Sequence, residues 1–561
     1  IFELLMDLAM QGSGTGANVE QKHLDMLEPI CNHINLKITG NFGDVPKEDR
    51  LEHSTYTYDY NEGAWVITVG DSRKGWTSAY RELMEIASDD SLLNPVELIV
   101  NISNVRPPGE VLSGFGGVAN PVRLTKTFEN VVKILNNAVG RKINGLEACL
   151  LLGEGAAAVV AGNIRRSAGL RLGSPDDESF VTSKDGLWTC DKDNNWFIDP
   201  AKDSLRMANH TVAYHHKPTF QEIKNSVEKQ VMSGEGALMY APEMIARANA
   251  DLIPATEKVA FIKAYEAGYG AEYLLGKAKN SLDERELEHR LGRYSLNPCA
   301  EIGSKDFHCN LSSVHLNQLA PTDLELQARA FRASALQAAA LLKQGFDTEL
   351  KQYSRDVDPI VQVSFTGAFT FFMEAFGLDW GYWWQAGRPE YWGDEYFTPD
   401  EMSFIGTSVF PSKAHYFRYV EQYYLDSWRG IVHSTVDQYC RKHGLRAPNR
   451  TTGVKPEGSM TLLTGVGACG WHPPKSAYYI RRMTFGKGDP IALAAIDYGY
   501  TVVPSQSDKD DKGQLLDDPF DPRCTEWLVE VPVAEPWALQ EGAEDIDPAT
   551  FPVRAQFDFF M

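Results

Sequence analysis

With 561 residues, 43% hydrophobic and 23% charged, the chain has the composition of a large soluble globular protein with a sizeable core. Its formal net charge of −22 makes it a poor partner for a nucleic-acid backbone, although local Arg, Lys and backbone N–H groups can still hold a nucleotide. No run of eighteen apolar residues predicts a membrane span, and eight scattered cysteines without a Cys-x-x-Cys pair argue against structural zinc and for a reducing cytoplasm.

Residues 1–11 read as a helix already under way. Gly12-Ser13-Gly14-Thr15-Gly16 then sets three glycines at alternate positions, a segment able to turn tightly and approach a ligand. It follows a helix rather than a strand, so it is not the dinucleotide fingerprint. Residues 19–60 are polar and broken, with a short helical piece at 21–27. A strand is expected over 64–69. After it, Asp71 or Ser72 caps a helix with the stripe Trp76, Tyr80, Leu83 and Ala87. Next come a strand over 97–103, the loop Arg106-Pro107-Pro108-Gly109 and the turn Gly114-Phe115-Gly116-Gly117. Helices follow over 122–139 and 145–161, the second hydrophobic enough to be buried. The pair Arg165-Arg166 suits a solvated edge and a phosphate ligand equally, and a strand is expected through Leu172.

Further on, helical periodicity covers 220–232, much of 253–279, 322–344 and 412–443, with a short strand at 234–240. An apolar turn is expected at 364–367, followed by an aromatic helix. In the helix over 412–443, the stripe Tyr416, Tyr419, Tyr423 and Trp428 reads as core packing rather than a cofactor box. Strands at 477–485 and 525–533 flank an acidic surface loop. Strands alternating with helices argue for an α/β architecture with parallel strands. No Pro/Gly/Ser-rich linker divides the chain, so one large domain with insertions is expected.

The most unusual stretch is Ser295-Leu296-Asn297-Pro298-Cys299-Ala300-Glu301-Ile302, with His308-Cys309-Asn310-Leu311 close behind. If extended, it would point Asn297, Cys299 and Glu301 to one side. A lone cysteine is most often a buried structural residue. Here an amide, a carboxylate and a second thiol accompany it. A thiyl radical at such a cysteine abstracts hydrogen from carbon, a nearby carboxylate takes a hydroxyl proton, and a thiol pair supplies reducing equivalents as it closes to a disulfide.

This stretch resembles the finger loop of the adenosylcobalamin-dependent (class II) ribonucleotide reductases. The blocks at 12–16, 71–76, 106–109, 114–117, 162–168 and 455–459 resemble blocks of that family in the same order. The similarity looks closest to the monomeric, triphosphate-reducing branch. It implies a ten-stranded α/β barrel with a central finger loop at 295–311. Residues 1–18 would start the barrel with a glycine-rich substrate loop, 19–95 would be an inserted region that mimics a dimer partner and builds the effector site, and 96–561 would be the catalytic barrel. It further implies that Cys299 takes the 3′ hydrogen of the ribose, Glu301 removes the 3′-hydroxyl proton, Asn297 binds the ribose hydroxyl, and Cys309 is half of the redox pair. Gly14, Pro298 and Ala300 would border the substrate, and Pro456, Glu457, Gly458 and Ser459 would form the turn that holds its phosphates, with the Glu457 side chain pointing away. Asp71, Ser72 and Lys74 would belong to the effector region.

The resemblance also implies adenosylcobalamin as cofactor with no protein histidine on cobalt and no other metal. Its implied partners are a ribonucleoside triphosphate, a deoxynucleotide effector and thioredoxin or another dithiol, acting on a monomer. The partner of Cys309 would precede Ile1 and a relay cysteine pair would follow Met561, so residues 1–561 alone are expected to bind nucleotides without sustained turnover. A diferric or glycyl-radical reductase and a catalytically silent nucleotide-binding regulator are the alternative readings.

Overall fold

The computed structural model describes all residues except 111–120, 159–167, 191, 193–195, 309, 347, 458–460, 462–463, 466–469, 506–507, 509, 511–514 and 525. Two compact units emerge. The first comprises Ile1–Arg247, Leu252–Leu282 and Arg290–Gly303; the second comprises Ala248–Asp251, Asp283–His289 and Ser304–Met561. Among the described residues no helix is long and apolar enough to cross a membrane.

The first unit holds two four-stranded sheets. In one, β1 (Thr15–Asn18) pairs in parallel with β6 (Gly169–Gly173), which pairs with β7 (Ala208–Tyr214), which pairs with β8 (Ala237–Tyr240). Helix α1 (Phe2–Met10) leads into β1. The other sheet has the order β2 (Ile34–Thr39), β5 (Val96–Asn101), β4 (Ala64–Thr68), β3 (Thr55–Asp59); its first three strands are parallel and β3 is antiparallel at the edge. Two strands therefore lie in the stretch read from sequence as polar and broken. The Ile34, Leu36, Ile38 alternation was the signal for β2, and edge strand β3 carries polar residues and tyrosines because one side of it faces water.

Helix α2 (Arg73–Ser88) begins at Ser72, whose hydroxyl accepts from Gly75 N–H at 2.9 Å and so satisfies one of the orphan donors of the first turn. Its Tyr80, Leu83 and Ala87 are buried, as the stripe requires. With α3 (Val122–Asn137) and α4 (Gly145–Ala158) it closes an aliphatic core with Ile67, Leu98 and Val100. Inside α4, Glu147 is paired with Arg141 at 2.6 Å, and Glu154, accepting from Asn130 at 3.1 Å, is pushed up by burial.

In the second unit, β9 (Asn310–His315) runs parallel to β10 (Val361–Thr366), and Thr452 adds a parallel bridge to Val363. Residues 364–366 thus end a strand rather than form the expected turn. The β-branched Val361, Val363 and Thr366 favour extension, and only Gly367, at φ +74°, turns the chain into α6 (Ala368–Phe376). Helices α5 (Leu324–Ala340), α6, α7 (Leu378–Gln385) and the 31-residue α8 (Lys413–His443) pack an aromatic core. The buried stripe of α8 is Tyr416, Val420, Tyr424 and Trp428; Tyr419 is exposed, so the stripe expected through Tyr419 and Tyr423 is shifted in register. An antiparallel sheet of β11 (Tyr478–Gly486), β13 (Glu526–Ala534) and β12 (Thr501–Pro504), in that order, and the helix α9 (Val553–Phe560) complete the unit.

Candidate functional site

The candidate residues fall into groups, each within one unit. In the first unit, residues 294–298 run along β1. A Cβ at Gly14 would sit 2.8 Å from Pro298 Cγ, and one at Gly16 would sit 2.3 Å from the carbonyl oxygen of Leu296. Two positions further, Asn18 Nδ2 lies 3.2 Å from the Tyr294 hydroxyl. The alternate glycines therefore let the backbone of residues 296–298 come close. Asn209, on β7, donates to the Pro298 carbonyl at 3.1 Å and holds the same segment from another strand.

The loop is a turn and not an extended run. Asn297 is buried; its backbone carbonyl accepts from Ala300 N–H at 2.9 Å, and its side-chain carbonyl accepts from Ile302 N–H at 3.1 Å. Ala300 has φ +60°, a left-handed conformation that costs a non-glycine residue about 1–2 kcal/mol. The expectation that Asn297, Cys299 and Glu301 share one side of a strand fails for that reason. Instead Asn297 faces inward as the brace of the turn, Cys299 and Ala300 are exposed at its tip, and Pro298 and Glu301 are half-buried. An exposed thiol on a braced turn can be reached by a large reactant while its backbone stays fixed.

In the second unit, Glu457 follows the strand-like segment that Thr452 anchors beside β10. Lys455 N–H donates to Ser364 Oγ at 2.9 Å, and the Ser313 hydroxyl donates to Glu457 Oε1. Lys455 Nζ lies 3.9 Å from the same oxygen. Glu457 is buried with φ +57°, its side chain directed at Ser313 on β9, and Pro456 is exposed. This turn lies past the carboxyl end of a parallel strand segment, where α/β sheets place ligands. Cys309, Gly458 and Ser459 lie outside the described residues, as do the glycine turn at 114–117 and the block at 162–167.

The expected effector residues are placed as follows. Asp71 Oδ1 accepts from Arg106 Nε at 2.8 Å, and its Oδ2 lies 3.1 Å from Arg50, which also reaches Glu110 at 2.8 Å. Ser72 caps α2, and Lys74 is exposed with its ammonium 3.7 Å from Asp7. Among the described residues no group of three or more His, Cys, Asp or Glu side chains forms a metal cage.

Sequence reasoning missed the polar cluster beneath the loop: Glu20, His215 and Tyr294. Glu20 Oε2 accepts from Tyr294 at 2.5 Å and from Asn18 at 2.8 Å, while Oε1 lies 2.7 Å from His215 Nε2. Burial alone would raise the Glu20 carboxyl. The hydrogen bonds from His215, Tyr294 and Asn18, together with the charge of Lys22, outweigh it and hold the group at about 2. No local pattern marks these residues, because the partners stand hundreds of positions apart.

A model of the insertion domain of B12-dependent ribonucleotide reductase matches residues 39–135, which hold β3, β4, β5 and α2 with most of α3. This span begins and ends later than the 19–95 read from sequence. The chain is 26% identical over 520 residues to the adenosylcobalamin-dependent ribonucleoside-triphosphate reductase of Lacticaseibacillus paracasei, covering 90% of this chain and 60% of that one. It is 24% identical over 525 residues to the enzyme of the same name from Lactobacillus leichmannii, covering 89% and 60%. The chain thus spans about 60% of the length of these relatives. A crystal structure of B12-dependent (class II) ribonucleotide reductase superimposes with a TM-score of 0.64 over 95% of this chain and 64% of the other, at 20% identity. Residues 39–135 thus match an insertion-domain model of B12-dependent ribonucleotide reductase, the fold is that of a class II ribonucleotide reductase structure, and nine-tenths of the chain is similar in sequence to adenosylcobalamin-dependent ribonucleoside-triphosphate reductases.

Proposed function

We propose that the protein reduces ribonucleoside triphosphates to 2′-deoxyribonucleoside triphosphates by a thiyl-radical mechanism, for DNA synthesis. The observation that carries the reading is the exposed Cys299 on a turn braced by Asn297 with Glu301 beside it, in a chain whose relatives bear that enzyme name. Adenosylcobalamin fits this chemistry because Cys299 is exposed; when bound, it supplies the one-electron oxidation that turns the thiol into a thiyl. Cys299 then takes the 3′ hydrogen atom, and Glu301 takes the 3′-hydroxyl proton. The 2′-hydroxyl takes a proton from a thiol of the redox pair and leaves as water. Cys309 and a second thiol give up two electrons and close to a disulfide, and Cys299 returns the hydrogen atom to C3′. Thioredoxin or another dithiol reopens the disulfide.

Asn297 donates to the ribose hydroxyl, with Gly14, Pro298 and Ala300 bordering the sugar. The turn at Pro456, Glu457, Gly458 and Ser459 holds the phosphates by its N–H groups and hydroxyl. The insertion domain takes a deoxynucleotide effector. Of the three residues expected there, Lys74 is the one with an exposed cation, whereas Asp71 is engaged by two arginines. The enzyme works as a monomer in the cytoplasm, in keeping with its acidic charge and scattered cysteines.

The full-length protein, given adenosylcobalamin, dithiothreitol and each ribonucleoside triphosphate in turn, is expected to form the matching deoxynucleotide. Cys299→Ser is expected to lower turnover at least a thousandfold without lowering the melting midpoint. Turnover with diphosphates alone would correct the substrate class. Wild-type turnover without the cofactor, or undiminished turnover in Cys299→Ser, would overturn the reading.

A further inference from the structure

The stretch that carries Cys299 lies against two glycines, Gly14 just before β1 and Gly16 within it. Gly14 faces Pro298 and Gly16 faces Leu296, so at these two positions no side chain of the strand segment interlocks with the loop. Register is weakly specified wherever a strand is glycine-rich. Side chains resume at Asn18, and there the contacts become polar and directional. Asn18 Nδ2 reaches both the Tyr294 hydroxyl and Glu20 Oε2, and Asn18 Oδ1 accepts from Glu20 N–H at 2.9 Å. Tyr294, 3% exposed, donates to the Glu20 carboxylate, which is 5% exposed. Lys22 Nζ lies 3.5 Å from Glu20 and 5.0 Å from the centre of the Tyr294 ring.

Glu20 is fixed from a second strand as well. His215 directly follows β7 and lies 2.7 Å from Glu20 Oε1, while its Nδ1 lies 2.8 Å from the Tyr265 hydroxyl. A neutral ring protonated at Nε2 satisfies both contacts, donating to the carboxylate and accepting from the phenol. The His215 and Tyr294 rings meet edge to face at 5.1 Å. A buried carboxylate costs several kcal/mol unless fully paired, and an apolar residue would fill the same space more cheaply. What the carboxylate adds is direction: it fixes the Tyr294 hydroxyl against groups carried by two strands. Tyr294 stands three residues before Asn297, and the intervening backbone is already pressed on glycine.

We propose that Glu20, His215 and Tyr294 are positioning residues that set the register of the 294–298 segment on β1 and thereby the place of the Cys299 turn. What the turn is positioned for rests on the reductase reading above; the positioning itself does not. The variants Tyr294→Phe, Glu20→Gln and His215→Gln are made in the full-length protein. Hydrogen exchange is followed in a peptide spanning 295–303, with the β5 peptide as internal control. Tyr294→Phe and Glu20→Gln are expected to speed exchange in 295–303 at least fivefold with β5 unchanged, and to alter the rate of Cys299 alkylation by iodoacetamide by a similar factor. His215→Gln keeps a donor toward Glu20 and is expected to lie between them and wild type. In the reductase assay kcat should fall at least tenfold with the nucleotide KM within twofold.

If Glu20→Gln does not fold, Tyr294→Phe carries the test, because it leaves Glu20 paired with His215 and Asn18. Unchanged exchange at 295–303 in Tyr294→Phe overturns the proposal even if the melting midpoint falls, and so does faster exchange with full kcat. A wild-type protein that reduces no ribonucleotide defeats the reductase reading, and exchange and alkylation then decide the positioning by themselves.

Discussion

The two units bury different chemistry. The largest core cluster of the first unit is aliphatic, built from Leu, Ile and Val of β2, β4, β5 and their helices, with Tyr80, Phe128 and Phe180 among its few buried aromatic rings. The second unit's core is aromatic, with Trp380, Trp383, Trp384, Phe369, Phe372, Tyr424 and Trp428 gathered around α8. Their buried charges are also placed differently. The first unit keeps the Glu20 carboxylate at the ends of β1 and β7, beside the finger loop. The second encloses Arg388 within its aromatic packing. That guanidinium makes two bonds to Glu421, at 2.8 and 2.7 Å, and one to Asp558 on α9, at 2.8 Å, and lies 4.1 Å from the Trp383 ring centre. Trp380 Nε1 donates to the same Glu421 at 2.7 Å. In one unit a buried charge orients a loop; in the other it ties α9 to the core.

The contrast can be broken at four points, of decreasing size. Arg388→Ala leaves Glu421 buried without its partner and is expected to cost about 3–5 kcal/mol. Tryptophan fluorescence during denaturation reports it, because eight of the twelve tryptophans lie between Trp380 and Trp537. A loss below about 1 kcal/mol would show that the ring packing holds without the charge. Leu83→Ala removes a fully buried side chain from the aliphatic core and is expected to cost about 3 kcal/mol, seen as faster hydrogen exchange in β4 and β5.

The third point is acid. The Glu20 pKa is depressed from the ordinary 4.5 to about 2, so its contribution is full above about pH 4.5 and is lost as pH falls toward 2. That contribution is about 2–3 kcal/mol. Glu20→Gln should flatten the acid limb of the stability curve over that window; an unaltered limb would remove the charge from the account of the loop. The smallest effect belongs to Ser72→Ala, which deletes the cap of α2 and should cost about 1 kcal/mol by denaturant titration.

Helices were legible in the sequence wherever one apolar stripe met one buried face. The cap and stripe of α2 fall where expected, and the bounds of α3 and α5 lie within a few residues of expectation. Strands β1 and β3 were not legible. β1 is only four residues long, Thr15-Gly16-Ala17-Asn18, and its Asn18 meets Tyr294 from 276 positions away, while β3 is an edge strand exposed on one side. The stretch 295–302 stood out by its residue types and not by its shape. Its residue types and order pointed to the thiol, but nothing local foretells that Ala300 turns left-handed or that Asn297 spends its side chain on Ile302 N–H. The stripe of α8 was misplaced because tyrosine sits at both buried and exposed positions, so residue type alone does not choose between Tyr419 and Val420. Glu20, His215 and Tyr294 carry no motif, and their meeting exists only in three dimensions.

The glycine contacts of β1 have a consequence for anyone recombining this protein. A longer side chain at position 14 or 16 has nowhere to go except into the loop, and a different residue at 296 or 298 meets the same wall from the other side. The two segments therefore form one exchangeable part written in two places, and a chimera that transplants the finger loop must bring residues 14–20 with it.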